Sequence, residues 1–285
     1  MRGNGVTARR NEPKERLGEF ARRVVRRSFR HFSQEEKAVL RDVDPEPLHQ
    51  MRVGMRRLRA AAETFGFVVR WPEGAGDRAI SRISGRLGRV RDLDVLLAKL
   101  SEMEGLDEGV LPALRERRKE AFAGLRRTLR GRRYRALCEG LGKWVKRPAY
   151  RPAGALPLRQ ALPDLLLPLG CRLFLHAGWD AAAGEILHDL RKRVKAIRYQ
   201  AEFFAGSYGE ELAAWIAELK TIQDELGGLQ DRVVLREAVG AVGPGLDAAL
   251  AAEEAAFAAW WGPVRERYRD PAFRERIRAM LARPR

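Results

Sequence analysis

Apolar residues recur at spacings of three and four along most of this chain, and alternating β-branched runs are scarce, so the pattern predicts helix nearly throughout and no strand. In the first half, helices are expected over about Glu15 to Lys37, Pro47 to Arg70, Asp77 to Glu102 and Asp107 to Lys146, the last bent near Gly124 or Gly131. Stops fall at Trp71-Pro72-Glu73-Gly74-Ala75-Gly76 and at Glu104-Gly105, where proline and glycine end helices. The second half predicts helices near Leu156 to His176, Ala183 to Ala205, Glu210 to Val239 and Leu246 to Tyr268, then a short basic tail helix. Between the halves, Arg147-Pro148-Ala149-Tyr150-Arg151-Pro152-Ala153-Gly154-Ala155 reads as a proline-rich joint. Four helices per half with short connections predict an all-α chain of two antiparallel four-helix bundles. A solenoid would need more repeats than two.

The halves are copies of one unit. Leu48-His49-Gln50-Met51-Arg52-Val53-Gly54-Met55-Arg56-Arg57-Leu58-Arg59 returns 139 positions later as Leu187-His188-Asp189-Leu190-Arg191-Lys192-Arg193-Val194-Lys195-Ala196-Ile197-Arg198. Leu87-Gly88 and Asp92 map at the same offset onto Leu226-Gly227 and Asp231. Across 48–65 and 187–204, seven of eighteen residues are identical; average residue frequencies give roughly one or two. Duplication within the chain accounts for this better than coincidence.

Both copies keep a histidine followed by cations three, seven and ten positions on. On a helix, His49, Arg52, Arg56 and Arg59 share an arc of roughly 80° and a length of about 15 Å. Leu48, Met51, Met55, Leu58, Ala62 and Phe65 form the neighbouring core seam. A charge run is ordinarily the solvated side of an amphipathic helix, but here the face opposite the core carries Val53, Arg57, Ala60 and Thr64, and its counterpart carries Lys192, Ala196, Tyr199 and Phe203. The cations therefore lie between two weakly charged flanks, as expected for a helix side lining a groove between bundles. Cations crowded there repel one another until an anion arrives. Arginine dominates, and its planar fork suits phosphate oxygens. His49 follows Asp44-Pro45-Glu46-Pro47, which places it in the first helical turn, beside free N–H groups that favour an anion. For both histidines a packed imidazole bonded to neighbouring backbone remains the alternative. Glu63 and Glu202 should pair with Arg59 and Arg198. Asp92 and Asp231 should orient arginines across a helix interface, and Gly88 and Gly227 should permit close helix approach. Asp92 and Asp94 point about 200° apart and should not share an ion.

Lys plus Arg number 55 against 38 Asp plus Glu, a net charge of +17 with pI near 10.7. Such a surface attracts polyanions, so nucleic acid, polyphosphate and anionic membrane all stay open on charge alone. Cys138 and Cys171 form no disulfide framework or metal cluster and read as buried thiols of a reducing compartment. Residues 1–15 lack the apolar core of a secretory signal, and the most apolar stretch, Ala161 to Trp179, is interrupted by Pro163, Asp164, Pro168 and Arg172. The expectation is a soluble, cytoplasmic protein without membrane insertion. The phosphate-loop, His-Glu-x-x-His, Gly-x-Ser-x-Gly and dinucleotide glycine motifs are all missing. The four histidines His31, His49, His176 and His188 are dispersed, no cofactor is implied, and the cationic stripe argues for binding without turnover.

Four motifs in order carry a family resemblance: Leu48 to Arg59 as above; Leu87-Gly88-x-x-Arg91-Asp92-Leu93-Asp94-Val95; Leu187-His188-x-Leu190-Arg191-Lys192-x-x-Lys195-x-x-Arg198-Tyr199-x-x-Glu202; and Leu226-Gly227-x-Leu229-Gln230-Asp231. They resemble the CHAD family, the conserved histidine α-helical domain, over about Arg16 to Tyr268. The resemblance implies two four-helix bundles related by pseudo-twofold symmetry: 16–146, a linker at 147–155, and 156–268, with basic tails at 1–15 and 269–285. It also implies binding of inorganic polyphosphate in a basic central groove, with polyphosphate granules and polyphosphate-metabolising enzymes as the setting. By matching motif, the implied ligands are His49, Arg52, Arg56, Arg57 and Arg59, then His188, Arg191, Lys192, Lys195 and Arg198. Arg89 and Arg91 are candidates for the groove wall. Some members are similar to fusions with a triphosphate-tunnel hydrolase bearing a Glu-x-Glu-x-Lys strand, which this sequence lacks. A non-enzymatic polyphosphate binder is the expectation; a nucleic-acid binder and a phosphoanhydride hydrolase are the alternatives.

Overall fold

A computed structural model describes residues 15–102, 108–180, 184–239 and 244–285, without the side chains at 230, 231 and 233–249. The Glu104-Gly105 stop, the tail before residue 15, the expected helix starts at Asp107 and Ala183, and the Asp231 carboxylate lie outside the described residues. Among those described, every regular element is helical, and the strand-like pairings are isolated bridges of Arg16 with Pro157 and Val69 with Tyr150. The helices are α1 (Leu17–Gln34), α2 (Glu36–Arg41), α3 (Pro45–Phe65), α4 (Asp77–Ser101), α5 (Val110–Leu129), α6 (Arg132–Lys146), α7 (Leu158–Phe174), α8 (Glu185–Ala201), α9 (Ala205–Tyr208), α10 (Glu210–Val239), α11 (Pro244–Arg269) and α12 (Pro271–Ala282). No described helix is long and apolar enough to cross a membrane. The chain divides into two compact units, one centred on Gly18–Ala155 and the other on Leu156–Val233 with Pro244–Arg285.

The first unit has more helices than the four expected. α2 is a separate short helix, ended by Asp42 in the left-handed region (φ 56°), where a small polar side chain is tolerated. The single helix expected over Asp107 to Lys146 is two. α5 stops at Leu129, and Gly131, extended at ψ 154°, caps α6, whereas Gly124 stays inside α5. α3 ends at Phe65 rather than Arg70 because Val68, Val69 and Arg70 leave to pair with the proline-rich segment: Arg70 N–H donates to Ala149 O and Arg151 N–H to Val68 O. That segment is thus packed structure. Gly154 is buried, and Tyr150 sets its ring edge-on to Trp144 and donates its hydroxyl to Glu19.

The core of this unit is the apolar side of α1 (Phe20, Ala21, Val25, Phe32), the seam of α3 (Met51, Met55, Leu58, Phe65) and the inner faces of α4 to α6. α3 packs on α2 and α4, and α4 on α5. Gly54 makes one approach possible, since a Cβ there would sit 2.6 Å from the Phe32 backbone nitrogen. In the second unit, the rings of Trp179 and Tyr268 stack with centroids 4.3 Å apart, and Trp261 stacks on Trp179 at 5.5 Å. α12 docks on α7 through Phe273, Ile277 and Leu281. The cysteines depart from expectation: Cys138 is half-buried with its thiol pushed up to about 11 by burial, and Cys171 is exposed.

Candidate anion-binding site

The stripe of the first unit is held by α3, which starts two residues earlier than expected. Asp44 caps it by accepting the Glu46 N–H at 2.8 Å, and Pro45 occupies the first helical position, where a missing N–H costs nothing. His49 consequently falls in the second turn, past the free N–H groups, so the backbone-anion argument does not apply to it. His188 lies one residue closer to its helix start, and its N–H bonds Gly184 O.

What surrounds His49 is side-chain charge. Burial, then the positive charge of Arg91, lower its proton affinity; Arg56 and Arg52 add to this and Glu46 opposes it. Arg91 arrives from α4, so two helices supply this cationic group. Arg52 is the most fixed member. Its Nη1 donates to Asp92 Oδ1 at 2.7 Å and lies 3.4 Å from Gly88 O, and a Cβ on Gly88 would sit 3.8 Å from its guanidinium. The atoms nearest Gly88 are thus those of the Arg52 head, at a distance that would still admit a methyl group. Arg56 is half-buried; Arg59, exposed, reaches Asp77 at 3.4 Å rather than the expected Glu63. The flank opposite the core is packed, with Ala60 and Thr64 buried and Val53 and Arg57 half-buried. Arg57 lies about 120° from the middle of the stripe. Arg89, two residues from Arg91, is exposed, and no hydrogen bond or ion pair among the described residues joins it to the group.

The second unit repeats the central feature. A Cβ on Gly227 would sit 3.6 Å from Arg191 Nε and 3.7 Å from its Nη2, as Gly88 does with Arg52. Arg191 Nε and His188 Nδ1 are buried without a hydrogen bond. Lys195 is half-buried, and exposed Lys192 pairs with Asp189 at 3.1 Å. Arg198 differs from its counterpart Arg59. It is 8% exposed, bonded to Glu202 as expected, donates to Gln223 Oε1 at 3.1 Å and sits 4.3 Å over the Tyr199 ring. Its Nε and Nη1 are engaged inside the unit, where Nε braces α8 against α10.

Two further histidines bond residues that adjoin the stripe histidines in sequence. His31 Nε2 lies 3.1 Å from Gln50 Oε1, and His176 Nε2 lies 3.0 Å from Asp189 Oδ2. Gln50 and Asp189 are equivalent positions, each next to its stripe histidine. His176 Nδ1 accepts the Gly178 N–H at 2.9 Å, so Nε2 carries the proton and donates it to Asp189. The two partner histidines stand 145 apart, not 139, which hides them from an ungapped comparison.

Asp92 and Asp94 do diverge. Asp94 accepts Arg118 Nε at 2.8 Å, and Arg118 also grips Asp42 with two bonds of 2.6 Å. The two carboxylates hold the Arg118 guanidinium well above its usual range, and the three bonds tie α5 to α4 through Asp94 and to the end of α2 through Asp42. Among the described residues, no three of His, Cys, Asp and Glu converge as metal ligands would.

Compared with known proteins, the sequence matches the family described as CHAD domain over residues 23–240. No curated protein matches it. Among solved structures it is similar to the crystal structure of the CHAD domain from the plant Ricinus communis, at TM-score 0.68 and 28% identity over 98% of this chain and 96% of that one. It is also similar to PptA from Streptomyces chartreusis, at TM-score 0.58 and 18% identity over 90% of this chain and 98% of that one, a likeness of fold.

Proposed function

This chain belongs to the CHAD domain family, and on that premise we propose that it binds inorganic polyphosphate without hydrolysing it. The observation that carries the reading is the group of His49, Arg52, Arg56 and Arg91, gathered from two helices on a half-buried wall. Arginine forks held this way match the oxygens of successive phosphates. The second unit supports the same reading by seating Arg191 on Gly227 beside His188, Lys192 and Lys195. Two such strips on one chain let a long polymer gain by multivalency what a short one forgoes. Docking on polyphosphate granules, or delivery of polymer to a polyphosphate-metabolising enzyme, would follow from that affinity.

Binding to nucleic acid is disfavoured by the aromatics, since single-strand recognition uses exposed rings on which bases stack. Trp144, Trp215 and Trp261 are at most 5% exposed, half-buried Trp260 packs on Phe257 and Trp261, and among the described residues Phe67 alone presents an exposed ring, too few for a stacking platform. Competition of labelled long-chain polyphosphate with single-stranded RNA at fixed salt tests the choice. Polyphosphate should displace RNA at far lower phosphate concentration, and equal displacement would overturn the assignment. Release of orthophosphate from polyphosphate with added magnesium or manganese would overturn the non-enzymatic part.

A further inference from the structure

A cleft lies within the second unit, away from the stripe. It runs between the first half of α10 and one side of α12, with α11 contributing Arg267, and encloses about 570 Å³, within the range of small-molecule sites. Helical periodicity builds both walls. α10 offers Glu211, Ala214, Trp215 and Glu218, and α12 offers Phe273, Arg276, Ile277 and Met280, each set at spacings of three and four, with Arg283 following just past the end of α12. The floor is apolar, and Trp215 is 2% exposed.

The charge in this cleft is unbalanced. Both carboxylates are already engaged, Glu218 with Arg267 at 3.3 Å and Glu211 with Arg285 at 3.8 Å. Exposed Arg276 on α12 and exposed Arg283 at its end make no ion pair within bonding distance among the described residues, although Arg276 also pulls on the Glu218 carboxyl. They are seven residues apart in sequence and line the same cleft, and Arg276 lies 5.2 Å from the Phe273 ring centroid. Two guanidinia above an apolar floor suit a ligand that brings both an anionic head and a hydrophobic body. A bare phosphate would meet the arginines and leave the floor wet, whereas an uncharged hydrophobe would leave the guanidinia unmatched. α11 and α12 also lie beyond residues 23–240, the span matched by the family.

We infer that this cleft binds a small organic anion with an apolar or aromatic body, its carboxylate or phosphate held by Arg276 and Arg283. None of its lining residues belongs to the proposed polymer-binding stripe. The probe for its test is 8-anilinonaphthalene-1-sulfonate, titrated by fluorescence into the full chain. The expected result is saturable one-to-one binding, weakened at least tenfold by Arg276→Ala with Arg283→Ala, and also by Ala214→Trp, which fills the cleft without changing charge. Far-UV circular dichroism and thermal midpoint confirm that each variant is folded. Arg52→Ala with Arg56→Ala should leave probe binding intact while polyphosphate binding falls, so failure of one site is distinguishable from failure of the other. Decanoate and phenyl phosphate serve as competitors, and whichever displaces the probe identifies the head group. Unchanged binding in the cleft variants, displacement by neither competitor, or displacement by orthophosphate as effective as by both would overturn the proposal.

Discussion

Arg52 Nη1 sits 2.7 Å from Asp92 Oδ1, a pair in which the arginine is 18% exposed and the carboxylate 70%. The pair contributes little stability, because Asp92 is solvated. Arg52 is held as well by the Gly88 carbonyl and by its own burial, so its orientation outlasts loss of the carboxylate. Asp92→Asn therefore removes a negative charge beside the proposed polymer path. At this range the charge is worth on the order of 1 kcal/mol, so polyphosphate affinity should rise about fivefold at low salt, as read by titration calorimetry. A fall would mean that Asp92 positions Arg52.

Gly88 and Gly227 invite a size series. A methyl group at either position meets the arginine at ordinary contact distance, 3.8 Å at Gly88 and 3.6 Å at Gly227, and alanine favours helix by about 1 kcal/mol. Gly88→Ala with Gly227→Ala should keep polyphosphate affinity and raise the thermal midpoint. Gly88→Leu with Gly227→Leu should evict both guanidinia and weaken binding at least tenfold in a folded protein. Full affinity in the leucine variant would place the ligand elsewhere.

His49 makes binding depend on pH. Burial and Arg91 lower its proton affinity in the free protein, so it is neutral at pH 7. Its contribution to folding stability is full above the ordinary histidine value and is lost as pH falls through the lowered one. Arriving phosphate oxygens reverse the local charge, and binding near pH 6.5 should take up a proton. Calorimetry in two buffers of different ionisation heat should reveal that uptake, reduced in His49→Gln; equal uptake in both proteins would exclude His49.

Glu218 is a carboxyl raised by burial against the pull of Arg267 and Arg276. A raised value means the folded state favours the protonated form, so this group's stability contribution is present at low pH and lost as pH rises through the raised value. Glu218→Gln should increase the thermal midpoint at pH 7 and leave it nearly unchanged near pH 4. A decrease at pH 7 would show that the Arg267 bridge outweighs desolvation.

The sequence made the helices with a strong apolar stripe legible, and the duplication made the stripe itself legible, because periodicity and repetition are properties of the chain alone. It marked Gly131 as one of two places for a bend, and an extended Gly131 is where α5 gives way to α6, but it could not show the short α2, where a single left-handed Asp42 decides the path. Nor could it show that Arg198 turns inward, since that depends on Gln223, a residue of α10 with no sequence signal of its own. His31 and His176 escaped for a different reason. They sit on flanking segments whose lengths differ between the copies, so only folding brings each to the residue beside its stripe histidine.

The most direct test of the proposed function is a salt-resolved titration of long-chain polyphosphate and of triphosphate into the wild-type chain and into Arg56→Ala with Lys195→Ala. The long polymer should bind far more tightly than triphosphate, with log affinity falling linearly in log salt, and the double variant should lose that binding while keeping its helicity. Equal affinity for triphosphate, or unchanged affinity in the folded double variant, would contradict it.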